Sequence, residues 1–260
     1  MVRSPALRHG PSLKDQVSPE EWEARVDLAA CYRLVHHHGL SDMVYNHISV
    51  RLEGSETFLL NPYGLLYSEV TASNLVKVDL DGNEITPSNT GYAINPAGFV
   101  IHSAIHQGRP DVKCVLHTHS AAGVAVSALK EGLLPLSQFA MRFHGRVSYH
   151  DYEGPAVDLD ERKRLIEDMG GNNVMILRNH GLLFAYPTIA EAFNALYWFE
   201  RACEVQLAAM ACNAELNLPA PEVVEKTAHL YDPRVRRAYG VMEWPTMLRM
   251  LDELDPSYRN

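Results

Sequence analysis

The sequence predicts a layered α/β fold without doubly wound topology, and three observations point there. Apolar spacing alternates along the chain between helical periodicity and short strand-like runs. Several of those runs are joined by hairpin signals. No internal repeat, low-complexity tract or Gly/Ser linker divides the 260 residues, so one domain with terminal extensions is expected.

Residues 1–17 are polar, contain Pro5 and Pro11, and are expected to form a loose arm before a domain over 18–218. The first helix opens with Ser18 as N-cap, Pro19 at the first helical position and Glu21 completing a capping box. Trp22, Val26, Ala29, Ala30, Arg33 and Leu34 follow at helical spacing, and Gly39 supplies the stop. The runs HISVRL, TFLLN and VKVDL then read as strands, with Asp81-Gly82 marking a tight hairpin. A helix AGFVIHSAIHQG follows Pro96 and ends before Arg109-Pro110. Next come the strand VKCVLHTH and a small-residue helix, AAGVAVSAL. The strand pair NVMILRNH and LLFAYP brackets Asn179-His180-Gly181. The long helix from Thr188 is apolar on most faces, which implies burial on two sides. The tail over 219–260 reads as two further helices extending the same domain.

Composition narrows the function. Lys+Arg total 23 against 32 Asp+Glu, a net charge of −9, and a chain this acidic lacks the basic face that nucleic acid or an anionic membrane requires. Four cysteines without a CxxC pair read as reduced, intracellular usage. No apolar run reaches membrane-span length and the N-terminus lacks a signal-peptide core, so a cytoplasmic location is expected. The unusual feature is 13 His, the side chain best suited to metal binding and proton transfer near neutral pH.

The sharpest chemical signal is His117-Thr118-His119 at the end of an apolar strand, because residues i and i+2 share a face and both imidazoles can reach one ion. His180, directly before Gly181 at the end of a later strand, is the third candidate. Three imidazoles with an open fourth position describe a catalytic zinc site. His36, His37 and His38 fit the last turn of the first helix, where cations complement the dipole. His102 and His106 lie one turn apart without an acidic neighbour, and read as packed or supporting residues. His144 and His150 sit in RFHGRVSYHDYEG, read as a loop bordering a cleft. The GxSxG, GxxxxGK[ST] and GxGxxG patterns are absent, and VDLDGN lacks the later ligands of a calcium loop.

From Ala29 to Asn213 the chain resembles the class II aldolase/adducin family. The residues that carry the likeness are NHISVR (Asn46–Arg51), NPYG (Asn61–Gly64), RPDVKCVLHTHS (Arg109–Ser120) and NHGLL (Asn179–Leu183), in the family's order. The resemblance implies a three-layer α/β/α architecture, with a central, mostly antiparallel sheet flanked by helices. It also implies a homotetramer with sites at subunit contacts, and a divalent metal on His117, His119 and His180, zinc first, with Mn, Co or Fe as alternatives.

Departures from the sugar-phosphate aldolases shape the functional expectation. Where those enzymes carry a catalytic Glu, this chain has Gly98 within Asn95-Pro96-Ala97-Gly98. Their phosphate-holding pairs fall at Asn46-His47 and Tyr63-Gly64, and a proton-transferring Tyr maps near Gln138-Phe139. These departures point toward the adducin-type branch. Adducin itself is a cytoskeletal protein lacking the metal triad; other members decarboxylate aromatic acids or are iron-dependent oxygenases. The expected activity is a metal-dependent carbon–carbon lyase, aldolase or decarboxylase, acting through a stabilised enolate on a small, non-phosphorylated carbonyl or acid substrate. His47, His102 and Tyr149 are the candidate catalytic residues, with His144 a further proton carrier. Asn46, Tyr63, Gly64, Gly98 and Arg142 are the candidate substrate contacts; Arg142 or Arg146 would grip a carboxylate. An iron-dependent oxygenase on the same triad and a non-catalytic adducin-like interaction module are the alternatives.

Overall fold

A computed structural model describes residues 10–154 and 161–260; the first nine residues of the expected arm lie outside it. Helix α1 (Pro19–His37) begins at the expected N-cap, with Ser18 Oγ accepting from the Glu21 amide at 3.2 Å. The expected capping box is not completed, because the Glu21 carboxylate accepts from Arg25 at 2.9 Å and Lys77 at 2.8 Å instead. Among the described residues eight strands form a single sheet: β1 (His47–Arg51), β2 (Thr57–Leu60), β3 (Val76–Asp79), β4 (Glu84–Thr86), β5 (Cys114–Thr118), β6 (Val147–His150), β7 (Val174–Leu177) and β8 (Gly181–Tyr186). Their order is β4-β3-β2-β1-β5-β8-β7-β6. Every neighbouring pair is antiparallel except β6 and β7.

That one parallel pair needs a crossover, which helix α5 (Glu161–Met169) provides. Both elements go beyond the expected set. The segment read as a loop around His150 contains β6, whose Val147 and Tyr149 pack on one core while Ser148 and His150 are buried on the other side. Its alternation is only four residues long, too short to stand out in the sequence.

Helices cover both faces. Ile48, Val50, Leu116, Ile176, Leu182 and Phe184 point into a core shared with α1 and α6 (Ile189–Ala211). Val115, Met175, Leu177, Leu183 and Ala185 point the other way, against α2 (Pro96–Gly108) and α5. The period-2 alternation of the strands thus builds a three-layer α/β/α molecule from buried faces on both sides. The remaining helices are α3 (Ala121–Ser127), α4 (Gln138–Met141), α7 (Pro221–Leu230) and α8 (Trp244–Leu254).

The C-terminal elements close against α1. Trp244 Nε1 donates to Asp27 at 3.1 Å, and the backbone amides of Ala72 and Ser73 donate to the carbonyls of Tyr258 and Asn260. Arg33, placed by spacing on the apolar stripe of α1, is buried because its guanidinium has partners: the Val70 carbonyl at 2.9 Å and Asp255 at 2.8 Å. The antiparallel registers bring the start of β1, the ends of β2 and β5 and the β7–β8 turn to one rim of the sheet.

Candidate metal centre

At that rim His117 lies in β5 and His119 just past its end, on one face of the sheet. His180 is not on a strand. Leu177 and Gly181 form the last β7–β8 pair, so the chain reverses within Arg178-Asn179-His180, and Asn179 takes a left-handed conformation (φ 57°) that an Asn tolerates. Gly181 is required next to it: a Cβ there would fall 2.3 Å from the Thr118 carbonyl oxygen. Close backbone approach is what lets the turn lay His180 against His117 and His119.

The three imidazoles converge through Nε2, 2.8 Å apart between His117 and His119 and 3.1 Å apart between His119 and His180. His117 Nδ1 donates to the Leu182 carbonyl at 2.9 Å, and His119 Nδ1 donates to Asp42 Oδ2 at 3.0 Å. A neutral ring whose Nδ1 carries the proton has a bare Nε2, so two lone pairs face each other at contact distance. That donor set fits a divalent cation, with a carboxylate and a carbonyl behind the ligands to orient them. Electrostatics favour the neutral state that ligation needs. Burial, followed by the facing His180, His47 and His119, holds His117 well below the usual His range, and burial with His119 holds His180 at about 4.

His47 is the cross-strand partner of His117, their ring centroids 5.1 Å apart. It lies beneath the first turn of α2 at Gly98, where a Cβ would come within 2.5 Å of His47 Cδ2 and 2.9 Å of its Nε2. His47 Nδ1 meets His102 Nε2 at 2.7 Å, and Ser49 Oγ bridges His102 Nδ1 and His106 Nε2. Burial pushes His47 and His102 well down and His106 to about 3. Asn46 is buried with its Oδ1 accepting from the Asp42 amide, so it steadies the loop that brings Asp42 to His119. Tyr63 and Gly64 are in the loop after β2 at the same rim; Tyr63 is partly exposed 6.3 Å from the Tyr45 ring, and the Tyr92 ring packs on Gly64.

Four expected site residues, Tyr149, Arg142, Arg146 and His144, are elsewhere. Tyr149 packs on the opposite face of the sheet, with the Arg178 guanidinium 4.3 Å from its ring centroid. Arg142 lies by Tyr186, the far end of β8 and roughly 17 Å along the strand from Gly181. There Arg142 donates to Asn194 at 2.6 Å and faces the rings of Phe143, Tyr231 and Tyr239. Arg146 bonds the Ala228 carbonyl, and His144 pairs with Glu225 near the surface. His150 is at the rim but is committed to Asp168 at 2.7 Å. Sequence reasoning missed Asp42, Ser49 and Tyr152, whose ring is 6.1 Å from that of His180. No spacing rule links any of them to the triad; only the sheet registers do.

Comparison with known proteins gives the same frame. The model of the class II aldolase and adducin N-terminal domain matches residues 26–207. The structure is similar to that of an aldolase II superfamily protein from Pseudomonas syringae (TM-score 0.89, 48% identity, 95% of this chain and 99% of that one). It is also similar to an L-fuculose 1-phosphate aldolase from Glaciozyma antarctica (TM-score 0.82, 28% identity, 93% of each chain). Alpha-adducin of Rattus norvegicus is 48% identical over 189 residues, which span 72% of this chain and 26% of that protein. With these motifs, this sheet order and this coverage, the chain belongs to the class II aldolase and adducin N-terminal domain family.

Proposed function

We propose that this protein is a metal-dependent carbon–carbon lyase that cleaves or decarboxylates a small, non-phosphorylated carbonyl or acid substrate. One observation carries the reading: three imidazoles turn their Nε2 atoms to one point while Asp42 and the Leu182 carbonyl occupy the Nδ1 atoms of His119 and His117. Three neutral imidazoles and a free fourth position suit zinc; manganese, cobalt and iron are the competing ions. A divalent cation held there supplies Lewis acidity toward a substrate carbonyl, easing heterolysis of the adjacent bond.

The chain's own groups would manage the proton. His47 is the acid/base in this reading, since its Nδ1 is committed to His102 and no described residue bonds its Nε2. Gly98 can hold no proton, and it admits the imidazole that does. His102 acts behind His47 without touching substrate. The resemblance aligns Asn46-His47 and Tyr63-Gly64 with the phosphate-holding pairs of the sugar-phosphate aldolases, and the different residues here are why a non-phosphorylated substrate is proposed. A cytoplasmic homotetramer belongs to the same reading.

Elemental analysis of the natively purified protein tests it. About one zinc per chain is expected, and His117→Ala and His180→Ala should each abolish metal retention and activity while leaving the circular dichroism spectrum of a folded protein. Stoichiometric metal in both variants overturns the triad. Iron with substrate-dependent oxygen consumption would favour the oxygenase. The likeness to alpha-adducin supports a second reading, a non-catalytic interaction module, which predicts metal-free protein even after incubation with zinc.

A further inference from the structure

We propose that Ser49 and His106 are positioning residues, which together with His102 form a buried hydrogen-bond relay that locks His47, His102 and His106 into one shared tautomer. The proposal rests on the lyase reading only for the use made of His47.

The relay has three links along the face of the sheet beneath α2: His47 Nδ1 to His102 Nε2 at 2.7 Å, His102 Nδ1 to Ser49 Oγ, and Ser49 Oγ to His106 Nε2 at 2.7 Å. His102, His106 and Ser49 are wholly buried and His47 is 5% exposed. No carboxylate pairs with any of the three rings among the described residues, and burial in an apolar sandwich favours the neutral ring, so each carries a single N–H. Ser49 carries one more proton.

Counting protons then limits the arrangements. The His47–His102 contact needs one proton between its two nitrogens, since two would clash and none would set lone pair against lone pair. If His47 donates from Nδ1, His102 accepts at Nε2 and holds its own proton at Nδ1. His102 then donates to Ser49, whose hydroxyl donates on to His106 Nε2, leaving the His106 proton at Nδ1, where the Val112 carbonyl is the nearby backbone acceptor that keeps it from being stranded. If the chain runs the other way, each ring carries its proton at Nε2 instead. Ser49 accepting from both neighbours would strand its hydroxyl proton in the interior, because Ser49 Oγ has no other partner among the described residues. The three rings are therefore all Nδ1–H or all Nε2–H. Only the first pattern leaves His47 with a bare Nε2, the form a base at this site requires.

The sequence carries this device without advertising it. His102 and His106 lie one helical turn apart on α2, and His47 and Ser49 are i and i+2 on β1, so both pairs present one face to each other when α2 lies across the sheet.

The test is a long-range proton–nitrogen NMR spectrum of the metal-free, full-length protein labelled with nitrogen-15 at histidine, recorded at neutral pH. The expected result is one tautomer, Nδ1–H, at positions 47, 102 and 106. Ser49→Ala should mix the His47 tautomers, and Ser49→Thr, which keeps a hydroxyl, should restore the single form. Mixed tautomers among the three rings of the wild-type protein overturn the relay, with no variant needed. A shared Nε2–H form upholds the relay and counts against His47 as the resting base, so the two failures are told apart. A Ser49→Ala protein that folds with an unchanged His47 signal also overturns it.

Discussion

At the scale of single residues, Gly98 shows how an absent side chain acquires meaning. The sequence marks the position as unable to ligate or carry a proton; the structure adds that the space is taken by the His47 ring. That ring cannot retreat, because it is bonded to His102 at 2.7 Å on one side and rests against His117 on the other. Gly98→Ala is therefore expected to destabilise the fold by about 1–3 kcal/mol through overpacking. Urea titration should show a lower midpoint with an unchanged slope. An alanine variant as stable as the parent would mean that α2 shifts freely over β1, and the packing account would fail.

At the scale of elements, the β7–β8 turn decides whether the third imidazole arrives. Three residues reverse the chain, and the middle one has positive φ. Asn179→Val places a β-branched residue there and should cost about 1–2 kcal/mol, with weaker zinc binding as His180 drifts. Asn179→Gly accepts the same backbone and should retain both properties. Calorimetric zinc titration of the pair makes the comparison, and equal affinities in the two variants would show that the turn does not set the His180 position.

For the whole molecule, the cluster of buried imidazoles links stability to pH. His47, His102, His106, His117 and His180 share one side of the sheet, and burial is the first cause of the lowered proton affinity of each. Their folded-state values lie below the ordinary 6.5, with His180 at about 4 and His106 at about 3. Between those values and 6.5 the unfolded chain binds more protons than the folded one, so stability falls as pH falls. The loss should begin near pH 6.5 and continue through pH 4, at about 1.4 kcal/mol per pH unit for each such His. Denaturant unfolding of metal-free protein from pH 7.5 to 4.5 measures it; a flat profile would show that the imidazoles are hydrated when folded. Saturating zinc should raise the whole curve by mass action.

The amino-acid sequence by itself determined the layered α/β class, α1 with its Ser18 cap, the β3–β4 hairpin at Asp81-Gly82 and the pairing of His117 with His119, because capping, turn chemistry and period-2 alternation act over a few residues. It missed β6 and α5, whose signals are short. It also placed Tyr149 and Arg142 in the cleft, since nothing local says which face of the sheet or which rim a residue will occupy. Tertiary structure alone decided that, along with the Asp42–His119 contact and the line of His47, His102, Ser49 and His106. Those juxtapositions come from strand register and from α2 lying across β1, and register is set by burial summed over the whole sheet.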